Sequence, residues 1–147
     1  MINTRTSNKP LKIFVDTSSF VSLEDNKDPN HNKAIALAHA LFNQNAKLYT
    51  SSDIIGETLT VISRKLSKKA SIIFYENYIK SGFTEIFIDS KLHEETREFF
   101  LKVRSKNISF IDCSSVIAMK QQGITQIFSF DKDFTTLGVK LFKAEKS

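Results

Sequence analysis

Tryptophan is absent from this 147-residue chain, and cysteine occurs once, at Cys113. A lone cysteine has no internal disulfide partner, so a reducing compartment, the cytoplasm, is the expected setting. No apolar run approaches the ~18 residues that a membrane span needs, and no membrane partner is expected. Residues 1–10 are polar and lack the apolar core of a secretory signal. No glycine-rich phosphate loop occurs, so nucleotide-cofactor chemistry has no support. His31, His39 and His93 show no metal-ligand spacing and read as solvated helix-surface residues. Internal repeats, linkers and low-complexity segments are missing as well.

What is present is ordinary in bulk and unusual in arrangement. Hydrophobic residues make up 41% and charged residues 25%, which places the chain among single globular domains rather than disordered or fibrous ones. The net charge is +5. That balance suits a polyanionic partner such as nucleic acid, and it equally suits plain solubility. Yet this basic chain places acids where strands should end.

Ile13-Phe14-Val15 reads as a buried strand within 11–16. Asp16 follows it, then the hydroxyl residues Thr17, Ser18 and Ser19. A short helix is expected from Thr17 to about Leu23, and a loop over 24–30 around Asp28-Pro29-Asn30. Ala34, Ile35, Ala38, Leu41 and Phe42 fall on one face and predict a helix over 31–44. A short strand over 46–50 precedes a helix capped by Ser51 or Ser52, with Ile55, Leu59, Ile62 and Leu66 on one stripe. Its end would hold Arg64-Lys65 and Lys68-Lys69, as the helix dipole favours. The next helix, 71–80, aligns Ile72, Tyr75 and Ile79. A strand over 83–88 leads to a helix capped by Asp89 or Ser90, with Leu92, Thr96, Phe99, Phe100 and Val103 inward. Residues 108–111 read as a short extended piece, 112–121 as a helix opened by Asp112 and closed at Gly123. A strand over 126–130, a turn over 131–137 and a last strand over 139–142 complete the chain. Strands alternating with helices imply an α/β domain with a mostly parallel central sheet flanked by helices.

Four carboxylates carry the chemistry. Asp16 ends the first strand, Glu57 lies inside a helix among apolar neighbours, Asp112 opens a helix, and Asp131 follows Ile127-Phe128-Ser129-Phe130. In a parallel sheet, strand C-termini and the helix N-termini after them share one edge, so these acids can meet. Each also has a plainer reading. Asp16 and Asp112 could be helix caps, the latter with Ser115 nearby, Asp131 a turn residue, and Glu57 a surface charge. Asp53 could stand in for Glu57, but reads better as a charge in the first helical turn. Two carboxylates ~4 Å apart repel by roughly 4 kcal/mol at an effective dielectric near 20. A divalent cation reverses that sign, and an all-oxygen donor set favours Mg²⁺ or Mn²⁺ over Zn²⁺. Carboxylates with open metal positions suit phosphodiester hydrolysis. Asp16 has no second aspartate two residues on, which argues against an aspartyl-phosphate phosphatase. Cys113 reads as a small packed residue. The bases Arg64, Lys65, Lys68 and Lys69, and likewise Lys102, Arg104 and Lys106, are either solvated helix ends or an RNA groove.

The segments Phe14-Val15-Asp16-Thr17-Ser18, Glu57, Ile111-Asp112 and Ser129-Phe130-Asp131-Lys132-Asp133-Phe134 together resemble a PIN domain. Their order and spacing are similar to those of VapC-type toxins, over residues 11–143. The resemblance implies a compact α/β/α nuclease domain, preceded by an arm over 1–10 and followed by a polar tail over 144–147. It implies Mg²⁺- or Mn²⁺-dependent ribonuclease activity, an RNA substrate, an antitoxin partner and a homodimer, to which the faces of 31–44 and 71–80 would contribute if they are not core. Asp16, Glu57, Asp112 and Asp131 match the catalytic and metal-binding acids. Ser18 matches the small hydroxyl that orients the first acid or a metal water. Asp133 competes with Asp131, and Asp131 is preferred because it is nearer the strand end. A non-cleaving RNA-binding or scaffold module of the same fold is the alternative function.

Overall fold

A computed structural model describes residues 9–144. Most of the expected arm and the last three residues of the expected tail lie outside the described residues. Five strands, β1 (Lys12–Val15), β2 (Lys47–Ser51), β3 (Thr84–Ile86), β4 (Gln126–Phe128) and β5 (Lys140–Leu141), form one sheet of order β3-β2-β1-β4-β5. Every pairing is parallel. β1 is central, and Ile13, Phe14 and Val15 are buried, as a strand covered on both faces requires. The chain adds β2 and β3 on one side of β1, then returns to add β4 and β5 on the other. The order therefore reverses between β1 and β4, the place where open parallel sheets leave a crevice beyond their carboxyl ends.

Six α-helices surround the sheet: α1 (Thr17–Glu24), α2 (His31–Asn43), α3 (Ser52–Lys65), α4 (Lys68–Tyr78), α5 (Ser90–Lys102) and α6 (Phe110–Gln121). α3 packs against α1 and α4, α5 against α6, and α1 against α2. Ser51 and Asp89 cap α3 and α5 through their side chains. Gly123, at φ +67°, ends α6 in a left-handed conformation that costs glycine nothing. A 3-10 helix at Lys132–Leu137 joins β4 to β5. No helix among the described residues is long and apolar enough to cross a membrane.

The structure departs from the sequence reading in several places. Residues 108–111 are not extended, because Ser109 caps α6 and Phe110 begins it. The expected strands over 83–88 and 126–130 shrink to three residues each. α4 starts at Lys68, since the Ser67 hydroxyl accepts the Ala70 N–H. Lys68 and Lys69 thus open α4 instead of closing α3. α4 also turns a different face inward: Ser71, Phe74 and Tyr78 are buried, while Ile72, Tyr75 and Ile79 are exposed. Phe20 explains the choice. It meets Phe74 edge-on at 5.3 Å and Tyr78 at 6.4 Å, so the aromatic face of α4 packs on α1. On α2, Leu37 takes the core position and Phe42 is left 82% exposed.

Phe14 fills the middle of the sheet with no exposure at all. Phe14→Ala is expected to cost about 3–5 kcal/mol. A urea titration would show a lowered midpoint with the slope unchanged.

Candidate active site

β1 and β4 lie side by side, and their ends are tied together by short polar side chains. The Asp16 N–H donates to the Phe128 carbonyl at 3.1 Å. Ser19 donates to the same carbonyl at 2.8 Å, and Thr50 donates to the Val15 carbonyl at 2.9 Å. Ser19 and Thr50 are fully buried, so these bonds satisfy carbonyls that water cannot reach.

Asp16 occupies the N-cap position of α1 but makes no capping bond. Its carboxylate turns toward β4 instead. Oδ2 accepts the Ser129 hydroxyl at 2.8 Å and the Ser18 hydroxyl at 3.1 Å. Both hydroxyls are held from behind: Ser18 Oγ accepts the Phe130 N–H and Ser129 Oγ accepts the Asp131 N–H, each at 3.0 Å. Burial pushes the Asp16 carboxyl up to about 6; the charge on Asp112 adds to this, and the two serines oppose it.

Asp112 is the third residue of α6, not its cap. It forms a capping box with Ser109, its Oδ2 accepting the Ser109 N–H at 2.9 Å. Ser115 takes no part, and its buried hydroxyl has no partner. Burial and the nearby charges of Asp131 and Asp133 raise the Asp112 carboxyl, against the bonds from Ser109. Asp131 caps the 3-10 helix, with Oδ1 accepting the Asp133 N–H at 2.9 Å. Glu57 accepts a hydrogen bond from the Thr17 hydroxyl, which in turn accepts from Thr58 at 3.4 Å.

All four acids and Ser18 line one cleft of about 370 Å³, while Asp53 and Asp133 do not. The plain reading of Asp131 as a turn acid holds in part, and that of Asp112 as the helix cap does not, since Ser109 is the cap; each carboxylate steadies a helix start with one oxygen and lines the cleft as well. Among the described residues, no three His, Cys, Asp or Glu side chains are gathered closely enough to hold a metal ion. The donors are all oxygens, and Mg²⁺ uses one or two carboxylates and keeps several waters. The chemistry of the donors, all of them oxygens, is therefore of the kind a hard divalent ion takes.

Three contributions escaped the sequence reading. Ser129 gives Asp16 its shorter bond, and its only signal was a hydroxyl at a strand end. Thr17 orients Glu57. Lys65 crosses from α3 to the α1–α2 loop, reaching Asp28 at 3.4 Å and Asp25 at 3.6 Å, and is the only base lining the cleft among the described residues. His31 is half-buried, its Nδ1 2.7 Å from the Ser22 carbonyl, rather than free in solvent.

A parallel sheet with carboxylates gathered beyond its switch point defines a class of α/β protein whose site uses neither histidine, cysteine nor a phosphate loop. Comparison with known proteins makes the class specific. The family model of the PIN domain matches residues 13–140, and the chain belongs to that family. The 23S rRNA-specific endonuclease VapC20 of Mycobacterium tuberculosis is 27% identical over 126 residues, 86% of this chain and 94% of that protein. A VapC ribonuclease of Archaeoglobus fulgidus is 27% identical over 136 residues, 89% and 85% of the two chains. The crystal structure of Mycobacterium tuberculosis VapC20, a sarcin-ricin loop cleaving toxin, matches with a TM-score of 0.79 at 26% identity, over 86% of this chain and 95% of that one. VapBC2 from Rickettsia felis, bound to a DNA fragment from their promoter, shares the fold, with a TM-score of 0.59 at 15% identity over 90% and 98%. The chain is thus a homologue of VapC ribonucleases.

The raised Asp16 value has a defined consequence for stability. Above pH 6 the metal-free fold holds a buried charge that the unfolded chain would hydrate. That cost, about 3 kcal/mol, fades as pH falls from 6 toward the ordinary 3.8. In chelator, Asp16→Asn should raise stability at pH 8 by about 1–3 kcal/mol and leave it nearly unchanged at pH 4. Denaturant melts at the two pH values measure the difference. An equal effect at both would contradict the burial of this charge.

Proposed function

We propose that this chain is a Mg²⁺- or Mn²⁺-dependent endoribonuclease, the toxin of a toxin–antitoxin pair, acting in the cytoplasm. The observation that carries this reading is Asp16. Its carboxylate is buried at the sheet's switch point, forgoes the cap it could make, and faces a cleft shared with Glu57, Asp112 and Asp131. The naming of the homologues as ribonucleases supports RNA as the substrate. An antitoxin protein is the proposed partner. A second copy of the chain is another, for which the exposed Ile72, Ile73, Tyr75 and Ile79 of α4 offer a surface.

The four acids would hold the ion and its waters. When bound, such an ion lowers the pKa of a water and neutralises charge developing on the phosphate. The chain's own residues supply orientation. Ser18 and Ser129 fix the plane of the Asp16 carboxylate, and Thr17 holds Glu57. The Ser109 and Asp133 N–H groups hold Asp112 and Asp131. No side chain is required to act as a nucleophile.

Cleavage of a labelled oligoribonucleotide is expected with Mg²⁺ or Mn²⁺, to vanish in EDTA, and to fall to background in Asp16→Asn. Ser129→Ala, which removes one orienting hydroxyl, should cost roughly 10- to 100-fold. Equal rates in EDTA would overturn the mechanism. Binding without cleavage under either metal would identify a non-cleaving RNA-binding module instead.

A further inference from the structure

The stretch from Phe99 to Phe110 contains three bases, Lys102, Arg104 and Lys106, and no acid. It covers the end of α5, the loop beyond it and the first residue of α6. The three bases are exposed. At the neck of the loop the Phe100 and Phe110 rings meet at 5.8 Å and 54°, and the His93 imidazole meets Phe110 at 5.2 Å and 53°. Phe100 is 40% exposed. Phe110 stands two residues before Asp112, in the same first turn of α6.

We propose that this loop and its aromatic neck form a docking surface for single-stranded RNA, which leads the strand to the acids beyond Asp112. This rests on the endoribonuclease reading and adds the strand's path to it. Charge complementarity selects the occupant. Phosphates flanking the one in the cleft need cations of their own, and the cleft itself, lined by carboxylates, offers them little. Lys65, the one base within it among the described residues, is engaged by Asp25 and Asp28. The α5–α6 loop supplies cations with no competing acid along the segment. Aromatic faces beside a basic track accept bases of any sequence by stacking. A protein partner of acidic character would also meet the three bases and could pack on the rings; the loop's place two residues before Asp112, beside the cleft where RNA would be cut, favours the strand.

The test uses the full chain carrying Asp16→Asn, so that the probe survives, and anisotropy of a labelled single-stranded oligoribonucleotide across a salt series. Changing Lys102, Arg104 and Lys106 together to Gln should weaken binding and flatten the slope of log K against log salt by about 2, at roughly 0.7 per phosphate contact. Phe100→Leu keeps the apolar bulk but loses the ring, and should weaken binding roughly tenfold with the slope unchanged. Unchanged affinity in either variant overturns the proposal. So does an unchanged KM when the triple Gln variant is made in the active chain and that chain cleaves RNA. Failure of the unmodified chain to cleave with any divalent metal would instead remove the reading on which the proposal depends.

Discussion

One buried negative charge organises this molecule. Asp16 sits where the sheet reverses its order, and the surrounding residues are arranged to keep its carboxylate there. Two serines donate to a single oxygen, and each serine is braced by a backbone N–H from the segment after β4. Ser19 and Thr50 tie the neighbouring strand ends so that the brace cannot splay. None of this neutralises the charge. Burial and Asp112 both disfavour it, and the serines recover only part of the cost. Four hydroxyl side chains hold Asp16 and the ends of β1 and β4, and the acid remains partly uncompensated; this is the place at which a divalent cation is proposed to bind.

The remaining acids reach the cleft by a different route. Asp112, the third-residue partner in a capping box, and Asp131, a cap, each use one oxygen to hold a helix start. Capping fixes the carboxylate and needs only one of its two oxygens, so local structure and site chemistry use the same side chain without conflict. It follows that finding an acid at a helix start does not decide between structure and chemistry. Asp16 breaks the tie because it declines the cap.

The overall plan was readable because period and order were strong. Ile13-Phe14-Val15 read as a buried strand, and alternating strands and helices implied a parallel sheet. The sheet edge then brought Asp16, Asp112 and Asp131 together without knowledge of any distance. What escaped was set by contacts between distant segments. Local spacing aligned Ile72, Tyr75 and Ile79 on α4, but the ring of Phe20, some fifty residues earlier, drew Phe74 and Tyr78 inward. The start of α6 was misplaced because Ile108 and Ile111 resemble a strand, while the Ser109–Asp112 box that decides the matter spans only four residues. The contacts of Ser129 and Lys65 were hidden for the same reason. A hydroxyl or an amine shows its use only when its partner, more than a hundred or nearly forty residues away, is in place.

The most direct measurement is the anomalous signal of Mn²⁺ in crystals of the unmodified chain. A peak in the cleft beside Asp16, lost in Asp16→Asn crystals, is the predicted result. Mn²⁺ that leaves the cleft empty while binding elsewhere on the molecule would contradict the claim that these acids are gathered for a cation.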